Sequence, residues 1–480
     1  MKMLIGGKKV DSSDGQVINV INPANGQIID TVPASTEDDV KEAVKQAAAG
    51  QKIWGAMSLY ERGEILYKFV DLIEQKDKIT EIGTLLCRET GKTIKEAIAE
   101  AHSPAFAFNG FIEKARHTYG EVFPSGAEPG SEHHIQFTVR EPVGVVACIV
   151  PFNFPIGLCV LKIAPALVAG NAAIIKPPTD NPLAIIAMCE LLMEAGVPDG
   201  VIQVVTGHGS KIGKWLCSNP GVGAITLTGS SSVGIDVMTS AAKNITPVAL
   251  ELGGNDPFIL LEDGDVDLAA DEAIVGRTNI AGQVCAASKR FLIHNSLKDE
   301  FAKKVITRLK NIVVGDPLDP KTDMGCLISE KAAIEVENQV KKTVEQGAKI
   351  IYGGKRNGAF YYPTVLVDVT REMDIAKDME IFGPVIPIIG FDTTDEAIEI
   401  GNNSIYGLCA GVFSRNIKTA MKVANKMQCG CTVINGSGAF RTNEMPFGGY
   451  KMSGIGNEGF ASTLDEVTNI KTIVFKNIIE

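Results

Sequence analysis

The sequence has no excess of positive charge. Its 46 lysine and arginine residues are outnumbered by 57 aspartate and glutamate residues, which leaves a formal net charge of −11. Nucleic-acid binding draws on a basic surface that displaces counterions from phosphates. We therefore exclude nucleic acid as the main partner of this protein.

The sequence also has no hydrophobic run long enough to cross a bilayer. The longest uncharged apolar stretch lies near residues 143–152, and a membrane-spanning helix needs about 20 such residues. The first sixteen residues contain no apolar core of signal-peptide length. We therefore expect a cytoplasmic protein that does not associate with membranes.

Histidine is scarce, and no histidine is placed to complete a set of metal ligands. The six histidines accompany ten scattered cysteines, of which only Cys429 and Cys431 approach the spacing of a metal site. We therefore expect no metal. Most of the cysteines are expected to be small buried hydrophobic residues in a reducing compartment.

The order of apolar segments predicts an α/β fold. A chain of 480 residues favours two or three domains. Residues 35–54 and 59–76 carry helical spacing, which makes the N-terminal hundred residues look helical. Short apolar strands then precede helices repeatedly, as parallel sheets with crossover helices require. The strand and helix pairs are 172–176 with 182–195, 201–206 with 210–218, 224–227 with 231–242, 257–261 with 267–278, and 291–294 with 298–313.

The C-terminal segment DEVTNIKTIVFKN contains a lone apolar strand. An unpaired strand edge invites pairing with another sheet or another chain. We interpret this strand as an assembly element.

Three glycine-rich segments are candidates for binding a phosphate or nucleotide. In the first, Gly207, Gly209 and Gly213 miss the dinucleotide-binding spacing by one residue. The second places Gly229 and Ser230 at a strand-to-helix turn, where backbone N–H groups can hold a pyrophosphate, although a purely structural turn would look the same. The third sets an acid directly before two glycines in LELGGNDP, which suggests a carboxylate held where backbone approaches closely.

Taken by itself, Cys285 in the segment NIAGQVCAASKR would more often be a core residue than a nucleophile. Seven short motifs together, however, resemble the aldehyde dehydrogenase family over nearly the whole chain. They occur in the order found in that family. They are PFNFP at 151–155, KPP at 176–178, LTGS at 227–230, ELGG at 251–254, GQVC at 282–285, EIFGPV at 380–385 and MPFGGYKMSGIG at 445–456.

The resemblance implies three catalytic residues. Cys285 matches the nucleophile, whose thiolate attacks the aldehyde carbon. The side-chain amide of Asn153 and the backbone N–H of Cys285 match the donors that stabilise the oxyanion. Glu251 matches the base that activates water for hydrolysis of the thioester. Without the resemblance, Asn153 reads as a turn residue and Glu251 as a helix-capping or ion-paired surface acid.

The resemblance also implies a cofactor site for NADP or NAD. Lys176 matches the lysine at the adenosine ribose, Gly229 and Ser230 match the pyrophosphate turn, and Glu380 matches the acid at the nicotinamide ribose. Phe382 is expected to pack near the nicotinamide. NAD-preferring members tend to carry glutamate where this chain has Thr179, and a glutamate there would repel a 2′-phosphate. We therefore expect NADP to be accepted, alongside NAD or in preference to it, unless the neighbouring Asp180 points inward.

The expected substrate is a short aldehyde. The tunnel positions are occupied mainly by small and apolar residues. These positions include Gly157, Leu158, Leu161, Val284, Ala286 and residues 436–441. The segments KIAPAL, KPP and FRTNEMPFGG resemble those of non-phosphorylating glyceraldehyde-3-phosphate dehydrogenases and of lactaldehyde or glycolaldehyde dehydrogenases. Arg441 and the pair Arg116 and His117 are candidate anion contacts, with solvated surface charge as the alternative.

Other functions within the resemblance stay open. Succinate-semialdehyde dehydrogenases commonly carry arginine where this chain has Leu161, and a second cysteine where it has Ala287. A CoA-acylating relative usually lacks the base that Glu251 matches. A non-catalytic structural relative would be expected to have lost at least one of the three catalytic residues.

The resemblance finally implies a domain organisation and an assembly. The expected fold has two Rossmann-like domains with parallel sheets and a small bridging β element. The cofactor-binding domain is expected to comprise residues 1–118 and 142–253, and the catalytic domain residues 254–445. Residues 119–141 and 446–480 would form the bridging element. Its terminal strand predicts a homodimer or homotetramer.

Overall fold

The computed structural model describes residues 1–460 and 462–479 of the chain. It confirms the α/β fold class, with two large open sheets, a three-stranded sheet and smaller two-stranded ones. No helix in the described residues combines the length and hydropathy that crossing a bilayer requires.

The strands fall into runs separated by helices. Their bounds are β1 Met3–Ile5, β2 Lys8–Val10, β3 Val17–Ile21, β4 Ile28–Pro33, β5 Val122–Phe123, β6 Ile135–Pro142, β7 Val145–Ile149, β8 Ala172–Lys176, β9 Ile202–Val204, β10 Ala224–Thr228, β11 Val248–Glu251, β12 Pro257–Leu260, β13 Arg290–His294, β14 Lys349–Tyr352, β15 Arg356–Asn357, β16 Phe360–Tyr361, β17 Thr364–Val369, β18 Val385–Phe391, β19 Tyr406–Gly407, β20 Cys409–Phe413, β21 Cys431–Ile434, β22 Tyr450–Lys451, β23 Gly454–Ile455 and β24 Thr468–Phe475.

The helices cover the sheets or connect their strands. Their bounds are α1 Glu37–Ala56, α2 Leu59–Ile73, α3 Lys76–Thr90, α4 Ile94–Ala101, α5 Ser103–Arg116, α6 Pro155–Val168, α7 Leu183–Glu194, α8 Gly209–Cys217, α9 Ser231–Ala241, α10 Val266–Thr278, α11 Lys298–Leu309, α12 Glu330–Glu345, α13 Thr394–Asn402, α14 Ile417–Lys426 and α15 Thr463–Glu466. Short 3-10 helices at Ala242–Asn244, Asn279–Gly282, Asn295–Leu297 and Asp374–Ala376 complete the helical segments.

The first large sheet has the strand order β2-β1-β9-β8-β7-β10-β11-β23. Its central strands β9, β8, β7, β10 and β11 are parallel, as the alternation of strands and helices predicts. Every residue of β7, β8 and β10 is buried, because crossover helices cover both faces of a parallel sheet. The sheet is nevertheless mixed, since β1 and β23 pair antiparallel at its two sides.

The second large sheet has the order β14-β17-β18-β13-β12-β20-β21. It is parallel apart from β14, which pairs antiparallel with β17. Its central strands are again apolar, and β12 and β20 are buried along their whole length. The loop that carries Cys285 directly precedes β13, so the second sheet fixes the position of this candidate nucleophile.

Two local predictions differ from the structure. The N-terminal segment is not all helical, because β1 to β4 precede α1; these strands are short, and β2 and β3 are largely exposed. Helix α11 ends at Leu309 instead of residue 313. The terminal strand β24 pairs with another strand, as the sequence predicts for its apolar edge: it runs antiparallel to β6, from Thr468 opposite Pro142 to Phe475 opposite Ile135.

The register of the first sheet brings distant motifs together. Strands β10 and β11 are parallel, with Thr228 opposite Glu251. The turn at Gly229 and the acid of the LELGG segment therefore leave the same end of the sheet. The carboxyl ends of parallel strands are where α/β proteins bind ligands, so the sheet order itself assembles part of the site.

Phe258 lies at the centre of an aromatic cluster in the second sheet. Its ring centroid is 4.4 Å from that of Phe413 and 5.0 Å from that of Phe291. We predict that Phe258→Ala lowers the free energy of unfolding by about 3–5 kcal/mol, because a cavity replaces the ring. Urea unfolding followed by circular dichroism measures this. The exposed Tyr60 provides the control, and an equal loss in Tyr60→Ala would contradict the assignment of Phe258 to the core.

Candidate active site

The loop that carries Cys285 has an unusual backbone. Helix α10 is followed by three residues in the left-handed region, Ile280 at φ 47°, Ala281 at φ 50° and Gly282 at φ 76°. A β-branched residue rarely adopts this conformation. A Cβ atom at position 282 would overlap the carbonyl oxygen of Gly383, so the GQVC motif requires glycine there.

Two charged side chains hold this loop, Glu96 and Arg277, of which the second donates to the Gly282 carbonyl at 3.5 Å. The Glu96 carboxylate accepts the Ile280 N–H at 2.8 Å. The buried Arg277 guanidinium donates to the carbonyls of Val385 and Ile381 at 3.1 and 3.0 Å and also contacts that of Gly383. The strained backbone is therefore fixed from outside by charged side chains, as expected where geometry serves a function.

Cys285 opens into a cavity of about 460 Å³. Leu158, Leu161, Val284 and Arg441, which the sequence suggested as substrate contacts, are among the residues that line it. The walls are mostly apolar, and Arg441 is the one cationic residue among the lining side chains. A pocket of this size and character suits a small molecule.

Glu251 ends strand β11 and is buried, with 3% of its surface exposed. Among the described residues, neither of its carboxylate oxygens has a hydrogen-bond partner. Burial, together with the charge of Glu458, raises the pKa of Glu251 to about 8. The cations Arg441 and Lys162 act in the opposite direction. Glu251 is therefore not the ion-paired surface acid of the alternative interpretation.

Glu251 and Cys285 influence each other electrostatically. The thiol lies close enough to lower the pKa of the Glu251 carboxyl, although the pair does not meet hydrogen-bond geometry. Burial raises the pKa of the Cys285 thiol well above its ordinary value, and the charges of Glu251 and Asp256 add to this. Lys289 and Arg441 oppose the rise. The resting thiol is therefore protonated at neutral pH.

A buried ion network lies behind Glu251. The carboxylate of Glu458 pairs with Lys162 at 2.6 Å and with Arg441 at 3.3 Å, and it accepts a hydrogen bond from Thr228 at 3.2 Å. Burial acts to raise the pKa of Glu458, but the two cations outweigh it and lower the pKa overall. Arg441 thus belongs both to the cavity wall and to this network.

Asn153 is buried and faces the backbone of the nucleophile loop. Its side-chain amide donates to the Gln283 carbonyl at 3.0 Å, which leaves its second N–H unused. The backbone carbonyl of Asn153 accepts a hydrogen bond from the Lys92 ammonium at 2.8 Å. The N–H of Cys285 donates no hydrogen bond within the residues described. Two donors near the thiol are therefore free, as an oxyanion site requires.

Lys176 and Thr179 form the first part of the cofactor candidate. The Lys176 ammonium donates to the Thr179 hydroxyl at 3.4 Å, and that hydroxyl donates to the Gly207 carbonyl at 3.2 Å. Burial lowers the pKa of Lys176 to about 8, and Asp180 opposes this. A Cβ atom at Gly209 would lie 3.6 Å from the Lys176 nitrogen. The segment with Gly207 and Gly209, whose glycines miss the dinucleotide-binding spacing by one residue, thus lies beside this lysine.

The other cofactor candidates lie around the LELGG segment. The Gly229 N–H donates to the Glu251 carbonyl at 3.0 Å, and Ser230 caps helix α9. The Glu380 carboxylate accepts the Gly254 N–H at 3.3 Å. The Phe382 ring lies 5.9 Å from that of Phe152, edge to face.

Two sequence candidates lie elsewhere. Arg116 and His117 do not line the cavity; both pair with Glu113 at the surface, at 3.4 and 3.1 Å. Their proposal as anion contacts is wrong, because the end of helix α5 points them toward solvent. The Cys429 thiol contacts the Cys431 carbonyl, and residues 1–460 and 462–479 contain no group of His, Cys, Asp or Glu residues arranged to hold a metal.

Glu458, Lys162 and Lys289 are the charged residues that sequence reasoning missed. Lys162 and Glu458 are 296 residues apart, so no local pattern connects them. The only available signal was the presence of lysine in apolar segments, at KIAPAL and CAASKR. A lysine in such a segment needs a buried partner.

The unpaired burial of Glu251 predicts a pH-dependent stability. Its ordinary pKa of 4.5 rises to about 8 in the folded protein, so folding becomes less favourable as pH rises through that window. We predict that Glu251→Gln melts at the same temperature as wild type near pH 4.5. Above pH 8 it melts higher, by at least the roughly 2–4 °C that 1 kcal/mol produces. Calorimetry on both proteins across this range measures the difference, and a difference independent of pH would contradict the raised pKa.

Comparison with known proteins gives the same family throughout. The family model described as "Aldehyde dehydrogenase family" matches residues 9–473. A 3-sulfolactaldehyde dehydrogenase of Priestia aryabhattai is 40% identical over 457 residues, which are 95% of this chain and 94% of the relative. The mitochondrial succinate-semialdehyde dehydrogenase of Arabidopsis thaliana is 37% identical over 473 residues, which are 98% of this chain and 88% of the relative.

A solved structure extends the likeness to three dimensions. The NADP-dependent glyceraldehyde-3-phosphate dehydrogenase of Bacillus halodurans, solved with NADP, superposes with a TM-score of 0.96 at 36% identity, covering 99% of each chain. The match of fold and sequence thus spans nearly the whole length. The chain belongs to the aldehyde dehydrogenase family.

Proposed function

We propose that this protein oxidises a short aldehyde to its carboxylate with NADP or NAD, using Cys285 as nucleophile, Asn153 as oxyanion donor and Glu251 as base. The observation that carries the proposal is that Cys285, which lines an apolar cavity, lies beside the unpaired buried carboxylate of Glu251. Membership of the family supports the reaction class.

The residues present fit a nicotinamide dinucleotide. Lys176 is buried with the Thr179 hydroxyl as its side-chain partner among the described residues, and a Cβ atom at Gly209 would contact its nitrogen at 3.6 Å. Gly229 and the N-cap Ser230 directly precede the eleven-residue helix α9, whose N-terminus favours a phosphate. Glu380 would hold the nicotinamide ribose. When bound, the cofactor supplies the two-electron oxidation of the thiohemiacetal to the thioester.

The protein's own groups perform the remaining steps. The Cys285 sulfur bonds to the aldehyde carbon, and the thiol proton passes to the Glu251 carboxylate. The former carbonyl oxygen becomes an oxyanion, which the Asn153 amide and the Cys285 N–H stabilise. Glu251 releases the thiol proton to solvent, and after oxidation its carboxylate accepts a proton from the water that attacks the thioester carbon. The carbon–sulfur bond then breaks, the proton on Glu251 returns to the Cys285 sulfur, and the carboxylic acid product loses its own proton to solvent.

The substrate that we favour is a short aldehyde with an anionic group, such as glyceraldehyde 3-phosphate. Lactaldehyde and glycolaldehyde are the uncharged candidates of similar size. Arg441 supports the anionic class, because its Nε has no hydrogen-bond partner in the described residues and its guanidinium packs 4.1 Å above the Phe447 ring. Two relatives are named for small acidic aldehydes, 3-sulfolactaldehyde and glyceraldehyde 3-phosphate.

The alternatives have weaker support. Succinic semialdehyde is supported by the Arabidopsis relative, but the buried Leu161 offers its carboxylate no cation. Transfer of the acyl group to CoA would make the buried Glu251 base unnecessary. A non-catalytic role would not explain why the unpaired carboxylate of Glu251 is buried beside the Cys285 thiol.

The proposal includes the domain boundaries and the assembly. The cofactor-binding domain would comprise residues 1–118 and 142–253, the catalytic domain 254–445, and the bridging element 119–141 with 446–480. Strand β23 lies within this last range but joins the first sheet. Exposed apolar residues on the three-stranded sheet, such as Val122 and Ile470, support a homodimer or homotetramer. The ten free thiols support a cytoplasmic location.

The direct test of this function is a panel of short aldehydes assayed for NADP and NAD reduction, with and without CoA. We expect turnover without CoA and a carboxylate product. We expect Cys285→Ser to lower kcat by about 10³-fold or more, as nucleophile removal does in other enzymes. Turnover only with CoA, or an unchanged rate in Cys285→Ser, would contradict the proposal.

Position 179 decides cofactor preference. We predict that Thr179→Glu lowers kcat/KM for NADP about tenfold or more relative to NAD, because a carboxylate beside the 2′-phosphate repels it. Thr179→Ser keeps the hydroxyl and should keep the wild-type ratio. A wild-type preference for NAD of about a hundredfold would refute our expectation for NADP.

Arg441 decides recognition of the anionic group. We predict that Arg441→Met lowers kcat/KM for glyceraldehyde 3-phosphate about 10-fold to 100-fold, the effect of losing a hydrogen bond to a charged group. Arg441→Lys should retain part of the rate. Propanal serves as the neutral control, and both aldehydes are measured across the same pH range above 8, because removing the Arg441 charge raises the pKa of Glu251. Equal losses for both aldehydes would contradict an anion contact.

A further inference from the structure

Lys289 follows Cys285 by four residues and is almost fully buried, with 2% of its surface exposed. Its ammonium donates to the Cys285 carbonyl at 2.5 Å and to the Ala287 carbonyl at 3.3 Å. It also pairs with the Glu380 carboxylate at 3.3 Å. One ammonium thus connects the nucleophile loop to the acid that we assign to the nicotinamide ribose.

The remaining surroundings of Lys289 are equally defined. Its nitrogen lies 5.9 Å from the Phe382 ring centroid, and its backbone N–H donates to the Asp256 carbonyl at 2.9 Å. The ammonium therefore has two carbonyl acceptors in the nucleophile loop and one carboxylate as its ion-pair partner. These contacts join the loop to Glu380.

We propose that Lys289 is a positioning residue, which holds the Cys285 loop against Glu380 and places a fixed positive charge beside the nucleophile. This inference rests on the proposed function, because it takes Cys285 and Glu380 in the roles assigned there. Lys289 itself need touch neither substrate nor cofactor.

The charges around Cys285 support an electrostatic part in this role. Glu251 and Asp256 disfavour the thiolate, while Lys289 and Arg441 favour it, and Lys289 is the stronger of the two cations. Arg441 is shared with Glu458. Removing Lys289 would therefore leave the thiol facing two buried acids with one partly neutralised cation.

The neighbouring Arg290 shows what a purely structural cation looks like in this segment. It is buried as well, and its guanidinium donates to the carbonyls of Asn255, Ile400 and Gly401 at 2.6 to 2.9 Å. It forms no ion pair with a carboxylate in the described residues. Burying a second cation next to Arg290 is unfavourable unless that cation is well paired, and Lys289 has the Glu380 carboxylate as its partner.

The test compares Lys289→Met, Lys289→Arg and the control Arg290→Lys in the full-length protein. Iodoacetamide alkylation of Cys285, located by mass spectrometry, is followed from pH 6 to 10, and NADP binding is measured by calorimetry. For Lys289→Met we expect alkylation at pH 8 to slow about tenfold or more, with a midpoint displaced to higher pH, because a nearby opposite charge favours the thiolate. We also expect NADP to bind about tenfold more weakly, because Glu380 loses its partner.

The other variants separate charge from structure. Lys289→Arg keeps the charge and should keep the alkylation midpoint. Arg290→Lys should melt at a lower temperature and leave the midpoint unchanged. If Lys289→Met does not fold, Lys289→Gln replaces it, since glutamine is neutral but still donates hydrogen bonds.

Two results would overturn the inference. One is an alkylation profile of the neutral variant that overlays wild type. The other is an equal displacement in Arg290→Lys, which would make the effect structural. Failure of the proposed function is distinguishable, because it appears in the wild type as absent aldehyde oxidation or as alkylation at a cysteine other than Cys285, whatever the Lys289 variants do.

Discussion

The burial of one unpaired carboxylate is the constraint on which the site depends. Glu251 lies at the end of a central parallel strand, and neither of its carboxylate oxygens has a hydrogen-bond partner among the described residues. Such an acid resists ionisation, and here its pKa rises to about 8. A group balanced between its two protonation states near neutral pH is suited to taking and returning protons.

Three cations lie around Glu251 and Cys285. Arg441 and Lys162 pair with Glu458, and Lys289 pairs with Glu380 and contacts the Cys285 carbonyl. These buried ions do more to define geometry than to stabilise the fold, since buried pairs contribute little net stability. These charged interior residues thus lie where the proposed chemistry needs side chains in fixed positions.

The sequence predicted the fold class well where signals were local. Apolar runs such as β8 and β10 are buried throughout, and buried parallel strands are visible as continuous hydrophobic segments. Cys285 and Glu251 were found through short motifs, not through chemistry of their neighbours. The placement of Leu161 in the cavity wall also agrees with the sequence expectation.

The sequence could not predict what depends on distant pairing. Lys162 and Glu458 meet only because the C-terminal segment returns to the first sheet. The early strands such as β2 were missed because they are short and mostly exposed, so they lack an alternating apolar pattern. Arg116 looked like an anion contact because its sequence neighbours are basic, but its pairing with Glu113 is set by the helix surface.

The central claim is that Cys285 carries the acyl group and Glu251 releases it. The most direct measurement mixes Glu251→Gln with NADP and an aldehyde, quenches in acid, and maps the peptides by mass spectrometry. We predict an acyl adduct on the peptide containing Cys285, at close to one per chain, and no accumulation in wild type at steady state. An adduct on another cysteine, or none in the variant while it forms one equivalent of NADPH, would contradict this account.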